Sequence, residues 1–219
     1  MDKPTIDFYN QHAKTQSDLY EAADMSVMYR RLEAVVPPHS RILEIGCGSG
    51  RDARALADMG FSVVATDASN GMIQEAKRRA EGKRGDLSFV CLPFPIPEGL
   101  SLFKEQRFDL VLAVAVLMHM LPEERVQTLK QIQRTLKPNG LFYCTFKKQQ
   151  SKDVRLYQEI CSSDLESECL RCGLQKLFKW EDVDMLGRDT CWTSALFVKG
   201  ASEGFTSLAC EQLNHGCRQ

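Results

Sequence analysis

Three alternating glycines at the end of an apolar strand constrain this chain more than any other feature of it. Arg41-Ile42-Leu43-Glu44-Ile45 has strand character and leads without a break into Gly46-Cys47-Gly48-Ser49-Gly50. Glycine reaches backbone conformations closed to other residues and lets a ligand approach the main chain closely. A helix follows from about Arg51 to Met59, closed by Gly60 in the usual C-terminal position. Strand, glycine bend and helix in succession open a βαβ unit and leave amide hydrogens of the helix start facing outward.

The same alternation continues downstream. Phe61 to Asp67 reads as a second strand, rich in β-branched residues, and Gly71 to Glu81 as a helix with Met72, Ile73 and Ala76 on one face. Leu87 to Cys91 is a third strand and Phe108 to Val114 a fourth, almost wholly apolar, as befits a parallel strand buried on both faces. Pro122 opens a helix to about Leu136, Lys137-Pro138-Asn139-Gly140 is a turn, and Leu141 to Phe146 is a fifth strand. A helix from about Ser163 to Cys172 and strand-like segments over Leu174–Trp180 and Cys191–Val198 complete the pattern. Parallel neighbours need crossovers and helices supply them, so the fold class is α/β, a doubly wound sheet with helices on both faces. The connection between the last two strands is too short for a crossover helix, which predicts one antiparallel strand at or near the edge. Residues 5–36 read as helices stopped by Pro37-Pro38. The organisation expected is one domain over 1–200, with a helical cap over 1–36 and a tail over 201–219.

Composition narrows the function classes. The chain has 219 residues, 43% of them hydrophobic, enough to fill one core. A net charge of -1 and a pI near 6.4 argue against a nucleic-acid partner. The longest apolar run, Leu110 to Met118, is far shorter than a membrane span needs, and Met1 to Asp7 lacks the apolar core of a signal peptide. A cytoplasmic protein with no membrane contact is expected. Nine scattered cysteines do not form a disulfide framework, and the lone Cys169-Leu170-Arg171-Cys172 reads as two ordinary thiols, so no metal is expected.

In a doubly wound sheet the ligand sits beyond the carboxyl ends of the strands, where the glycine bend lies. Asp67, at the end of the second strand, offers a carboxylate suited to the two hydroxyls of a ribose. An adenosine-type ligand follows. The dinucleotide pattern G-x-G-x-x-G would need glycine where Arg51 stands, and Glu44 before the bend would repel a pyrophosphate and attract a cation. These features favour S-adenosylmethionine over NAD.

Ile42 to Ala53 together with Val63 to Ser69 and Met72 resemble the first two motifs of class I S-adenosylmethionine-dependent methyltransferases. Phe108 to Ala113, Val116 to Pro122 and Leu136 to Leu141 resemble the later landmarks, in order, and Thr145-Phe146-Lys147 is similar to Ser-Phe-Lys in one bacterial subgroup. The resemblance implies a Rossmann-like sheet of seven mostly parallel strands with the last inserted antiparallel. It also implies cofactor contacts: the bend Gly46, Cys47 and Gly48 for the methionine part, with Glu44 and Arg51 beside it, and Asp67 for the ribose. Ala68, Met72, Cys91 and Leu92 would line the adenine, Ala113 and Val114 would floor the reactive centre, and Tyr9, with Tyr20, would cap the cofactor. The product would be S-adenosyl-L-homocysteine. The chain departs from many relatives at Cys91, where an Asp that accepts from the adenine amino group is common.

Methyl transfer is an in-line displacement in which the protein aligns, dehydrates and, where the acceptor carries a proton, supplies a base. His119 is the candidate base, against the plainer reading of a histidine packed in a turn. Arg51 pairs either with a ligand carboxylate or with Asp52 or Glu44. Lys147 and Trp192 are candidate substrate contacts, against a solvated strand end and a core aromatic. Lys77-Arg78-Arg79 with Lys83-Arg84 reads as a solvated helix face rather than an RNA contact, and Cys47, Cys91 and Cys144 as small buried hydrophobes rather than a metalloid site. The leading expectation is a methyltransferase acting on a small molecule. The alternatives are an RNA or protein methyltransferase and a non-catalytic S-adenosylmethionine-binding protein.

Overall fold

The computed structural model describes residues 2–82, 85–97, 107–147, 154–188 and 190–200. The tail over 201–219, with Cys210 and Cys217, lies outside them, as do Lys83 and Arg84. Three helices come first: α1 (Lys3–Gln11), α2 (Ala13–Glu21) and α3 (Ser26–Val35). The alternation then runs β1 (Arg41–Ile45), α4 (Arg51–Asp58), β2 (Ser62–Asp67), α5 (Asn70–Arg79), β3 (Leu87–Cys91) and β4 (Phe108–Val114). It ends with α6 (Pro122–Thr135), β5 (Leu136–Lys147), α7 (Ser162–Arg171), β6 (Leu174–Val183) and β7 (Cys191–Lys199).

Seven strands form one sheet in the order β3-β2-β1-β4-β5-β7-β6. β1 pairs in parallel with β2 and with β4, β2 with β3, and β4 with β5. β7 is antiparallel to both β5 and β6. The expected antiparallel strand is therefore the last, and it sits one place inside the edge. Strand order reverses between β1 and β4, so the glycine bend after β1 opens onto the crevice.

The sheet is buried on both faces. Along β4, Leu110 and Leu112 pack with α3 and α4 residues such as Leu32 and Leu56, while Val111 and Ala113 pack with Leu129 and Ile132 of α6. Alternation of side chains sends neighbours to opposite faces, and both are apolar because helices cover both.

Two boundaries differ from expectation for a local reason. Lys137 to Gly140 does not separate helix from strand: β5 already begins at Leu136, and Asn139 takes a left-handed φ of 61° as an irregularity within the strand. Phe108 pairs with Leu136 and Leu110 with Leu141, so the extra residues are absorbed as a bulge. β6 runs to Val183, three residues beyond Trp180, because β7 continues the ladder there.

Candidate active site

The bend after β1 is held by backbone. Cys47 N donates to Thr66 O at 2.9 Å and Gly50 N to Cys47 O at 2.9 Å. Gly46 has φ 71° and Gly48 φ 55°, and a Cβ on Gly46 would lie 2.6 Å from Val116 Cγ2. On Gly48 it would lie 3.3 Å from the Tyr20 ring. Only glycine meets both the conformation and the space.

Asp67 closes the bend from the neighbouring strand. Gly48 N donates to its Oδ2 at 3.0 Å and Ser69 N to its Oδ1 at 2.8 Å. A carboxylate has about four lone-pair sites, so Asp67 keeps acceptor capacity for a ligand beside its backbone donors. Burial raises the carboxyl from its ordinary range and these N–H donors oppose the rise. Ser69 Oγ, in turn, caps α5 by accepting from Met72 N at 3.1 Å and donates to Asn10 Oδ1 at 2.8 Å.

Two more acids stand beside the bend. Glu44 is 1% exposed and its Oε2 has no partner. Burial, with Asp52 and Asp67 close by, pushes its carboxyl well above the usual range, and Arg51 opposes that shift. Asp52 is satisfied: it accepts Tyr29 Oη at 2.6 Å and both Nε and Nη2 of Arg51 at 2.8 and 2.9 Å. Arg51 Nη1 donates to Tyr20 O at 2.7 Å. Arg51 thus ties the end of α2 to the start of α4. Ser49 Oγ and Arg54 Nη2 both donate to Glu21, each at 2.7 Å, and make a second tie.

A cavity of about 330 Å³ begins at this bend and extends over the carboxyl ends of β4 and β5 and the amino end of the antiparallel β7, a size within the range of small-molecule sites. At its far side Tyr143, Thr145 and Lys147 of β5 and Trp192 and Ser194 of β7 share one face of the sheet. The α3 residue Arg31 bonds both oxygens of Asp182 at 3.0 and 2.9 Å. Asp184 gathers the turn after β6: it accepts from Leu186 N, from Arg188 and from Trp192 Nε1 at 2.7 Å, and these donors draw its carboxyl well below the usual range despite desolvation.

His119 is 3% exposed, and its Nδ1 lies 2.7 Å from Leu156 O and its Nε2 3.1 Å from Tyr9 Oη. Arg155 Nη1 donates to Tyr9 Oη at 3.1 Å. Tyr157 packs edge-on to the imidazole at 4.6 Å, with Lys147 Nζ 4.8 Å from the same tyrosine ring.

Of the expected cofactor contacts, Tyr9, Glu44, Gly46, Cys47, Gly48, Arg51, Asp67, Ala68, Met72, Leu92 and Val114 all line the cavity, and so do His119, Lys147 and Trp192. Cys91 and Ala113 do not. Cys91 points outward at the end of β3 and Ala113 into the core under the sheet, opposite in sense to Val114. Leu92 and Phe94 stand at the cavity wall next to that strand end. The suggested thiol cluster does not form: Cys47 and Cys144 are buried, Cys91 is exposed, and burial pushes both inner thiols up. Among the described residues no group of three His, Cys, Asp or Glu could hold a metal ion. Trp180 stacks on Phe178 beneath Arg31. In the basic run, Arg78 and Arg79 pair with Glu75, and Arg79 also with Asp18. Residues at the site that the sequence did not single out include Arg31, Arg155, Asp182 and Asp184. The Asp184–Arg188 spacing of opposite charges was the one local signal among them.

The comparisons agree with this geometry. Residues 42–140 match the family model described as a methyltransferase domain. Over 106 residues, 48% of this chain, it is 33% identical to 42% of a "Ubiquinone biosynthesis O-methyltransferase" of Coxiella burnetii. Over 134 residues, 61% of this chain, it is 28% identical to 18% of an "eEF1A lysine and N-terminal methyltransferase" of Mus musculus. The chain thus spans less than half the length of the curated relatives it matches. The fold superposes on a Burkholderia thailandensis 1,6-didemethyltoxoflavin-N1-methyltransferase with bound S-adenosylhomocysteine, with a TM-score of 0.75, 19% identity and coverage of 90% of this chain and 88% of that one. With the glycine bend, the acid after β2 and the inserted last strand all in place, residues 42–140 are similar to a methyltransferase domain and the chain has the fold of such enzymes.

Proposed function

We propose that the chain transfers the methyl group of S-adenosylmethionine to a small-molecule acceptor. The observation that carries this is the division of one cavity into an acidic, backbone-lined end at Gly46–Gly48 and a side-chain-lined end over β5 and β7. The residues fit the cofactor. Asp67 keeps acceptor capacity for the ribose hydroxyls, and the partnerless Glu44 Oε2 offers a partner for the methionine ammonium. Backbone at Gly46, Cys47 and Gly48 leaves room for the methionine chain. Ala68, Met72, Leu92 and Phe94 make the adenine wall, a role that passes from Cys91 to Phe94. Arg51, each of whose terminal nitrogens has a protein partner, acts as a clamp between helices, and Val114 floors the transfer site.

The bound cofactor supplies a methyl group on a positively charged sulfur. The chain's own part is to exclude water and align the acceptor, which is worth several kcal/mol of barrier. Tyr9, Tyr20, Met28 and Arg31 from the N-terminal helices wall the far end, together with Lys147, Trp192 and Leu186. A cavity of this size suits a small acceptor, and the small-molecule names of the Coxiella and Burkholderia proteins point the same way. Residues 1–200 act as one unit, with 1–36 as its cap, in the cytoplasm. Among the described residues no helix is long and apolar enough to cross a membrane.

A second reading, methylation of a protein, is favoured by the name of the mouse relative. Calorimetry with S-adenosylhomocysteine and NAD, followed by a labelled-methyl screen over thiols, amines, hydroxyls, metalloids, RNA and protein, separates the readings. Binding of S-adenosylhomocysteine but not NAD, with label in small molecules, is expected. Label only in macromolecules would overturn the small-acceptor assignment, and tight product binding without any transfer would make the chain a binding protein.

A further inference from the structure

We propose that Tyr9 is the base that faces the acceptor and His119 the proton store behind it, which assigns the acceptor atom as a hydroxyl oxygen that arrives protonated. The inference rests on the methyl-transfer reading above and deepens it.

Donor and acceptor chemistry orders the cluster. A backbone carbonyl only accepts, so the contact of His119 Nδ1 with Leu156 O at 2.7 Å places a hydrogen on Nδ1. Tyr9 Oη receives Arg155 Nη1 at 3.1 Å and Tyr20 Oη at 3.5 Å. Its own hydrogen then has Nε2 of His119, at 3.1 Å, as its acceptor. The chain reads Arg155 to Tyr9 to His119 to Leu156 O. Direct proton abstraction by His119 does not suit this arrangement, since the ring is buried with both nitrogens engaged. Tyr9 is half-buried on the cavity wall and holds the position from which a proton can be taken.

The cluster is also held in place from outside. Leu156 N donates to Thr5 Oγ1 at 2.7 Å, and Gln158 N to Met118 O at 2.8 Å, so the segment that orients the imidazole is fixed to α1 and to the turn carrying His119. A base works when its geometry is set before the reaction. Among the described residues, the charged and titratable groups facing the pair include Arg155 and Tyr20 on the phenol oxygen and Tyr157 against the imidazole, with Lys147 beyond Tyr157.

The acceptor oxygen takes the place of the long Tyr20 contact. As it bonds to the methyl carbon, the carbon–sulfur bond breaks and its electron pair stays on sulfur. The hydroxyl proton crosses to Tyr9 Oη while the proton of Tyr9 crosses to His119 Nε2, with Arg155 supporting the negative charge that develops between them. The outcome is a methyl ether, a neutral tyrosine and an imidazolium that returns its proton to water after release. A thiol acceptor, largely ionised near neutral pH when its sulfur is attached to an aromatic ring, needs no such relay.

Two measurements test this on the full chain with S-adenosylhomocysteine bound or S-adenosylmethionine supplied. The ring nitrogens of ¹⁵N-labelled histidine should show His119 protonated on Nδ1, with a hydrogen-bonded Nε2 that shifts toward the free position in Tyr9→Phe while Nδ1 stays. A proton found on Nε2 in the parent chain overturns the relay whatever the acceptor. Rates are then compared on a panel of phenols headed by catechol and on the matching thiophenols. Tyr9→Phe and His119→Asn should each lower the ratio of phenol to thiophenol rates by roughly 10²-fold or more, and with it the pH dependence of kcat on phenols. Equal losses on both panels, or none on phenols, overturn the assignment, and so does a parent enzyme that methylates thiophenols but no phenol. Absence of S-adenosylhomocysteine binding would instead remove the methyl-transfer reading beneath it.

Discussion

The two ends of the cavity are built in different ways. At the cofactor end the contacts are short in sequence and run largely through backbone: Asp67 holds Gly48 N and Ser69 N, and Cys47 N meets the adjacent strand at Thr66 O. At the acceptor end they run between side chains far apart in the chain, Tyr9 with His119, Arg155 with Tyr9, Arg31 with Asp182 and Leu156 with Thr5. The first end is centred on one βαβ unit, tied to α2 and α3 through Arg51, Ser49 and Asp52. The second exists only when α1 to α3 and the last two strands have docked on the sheet. Substitutions at the first should therefore strike cofactor binding, and those at the second should spare it.

Gly46→Ala should have the largest effect. The new Cβ meets Val116 Cγ2 at 2.6 Å, and φ 71° is strained for alanine. Left-handed strain and overpacking each cost roughly 1–3 kcal/mol. A fall in Tm and loss of S-adenosylhomocysteine binding by calorimetry are expected. A variant with parental Tm and affinity would mean that the bend adapts, and that the cofactor end is no more rigid than the other.

Asp67→Ala comes next, with cofactor affinity lower by ~1–3 kcal/mol, about 5- to 150-fold, from loss of a charged hydrogen-bonding partner. Its backbone donors at Gly48 and Ser69 also lose their acceptor. Unchanged affinity would place the ribose elsewhere.

Asp182→Ala tests the opposite end. It leaves Arg31, whose side chain is 13% exposed, without its bidentate partner. Removing one member of a fully buried pair costs several kcal/mol, and the partial exposure of both members reduces this to about 1–2 kcal/mol of stability. Cofactor affinity should stay within about twofold, because no cofactor-end contact involves the pair. A fall in affinity as large as that of Asp67→Ala would show that the two ends are coupled.

This contrast also explains what the sequence reveals. The five residues of β1, the seven of β4 and the glycine bend are legible because each follows from local rules: apolar runs, glycine where φ is positive, an acid at a strand end. The turn at Lys137 to Gly140 misleads for the same reason, since Asn139 carries a turn conformation that β5 absorbs as a bulge once β4 supplies its ladder. Cys91 and Ala113 sit one residue from positions that do line the cavity, and strand alternation turns a one-residue step into the opposite face. Arg155, Asp182 and Arg31 give no local sign of a site, because their partners stand more than 140 positions away in the chain.

Glu44 gives the smallest and most specific effect. Burial beside Asp52 and Asp67 raises its carboxyl above the ordinary range, so its charged form is disfavoured relative to an exposed carboxylate. For a carboxyl raised on folding, the stabilising contribution is present below the unfolded-state value and fades as pH rises through the folded one. An arriving ammonium favours the charged form and so opposes that shift. S-adenosylmethionine binding should then release a fraction of a proton, measured as a dependence of calorimetric heat on the ionisation enthalpy of the buffer. The affinity advantage of the parent chain over Glu44→Gln should grow with pH from the ordinary carboxylate range upward, by at most about tenfold per pH unit, the limit for one proton. Equal proton release by the two chains would locate the titrating group elsewhere. The acids of the cofactor end would then act through Asp52 or Asp67, and the ammonium would lie away from Glu44.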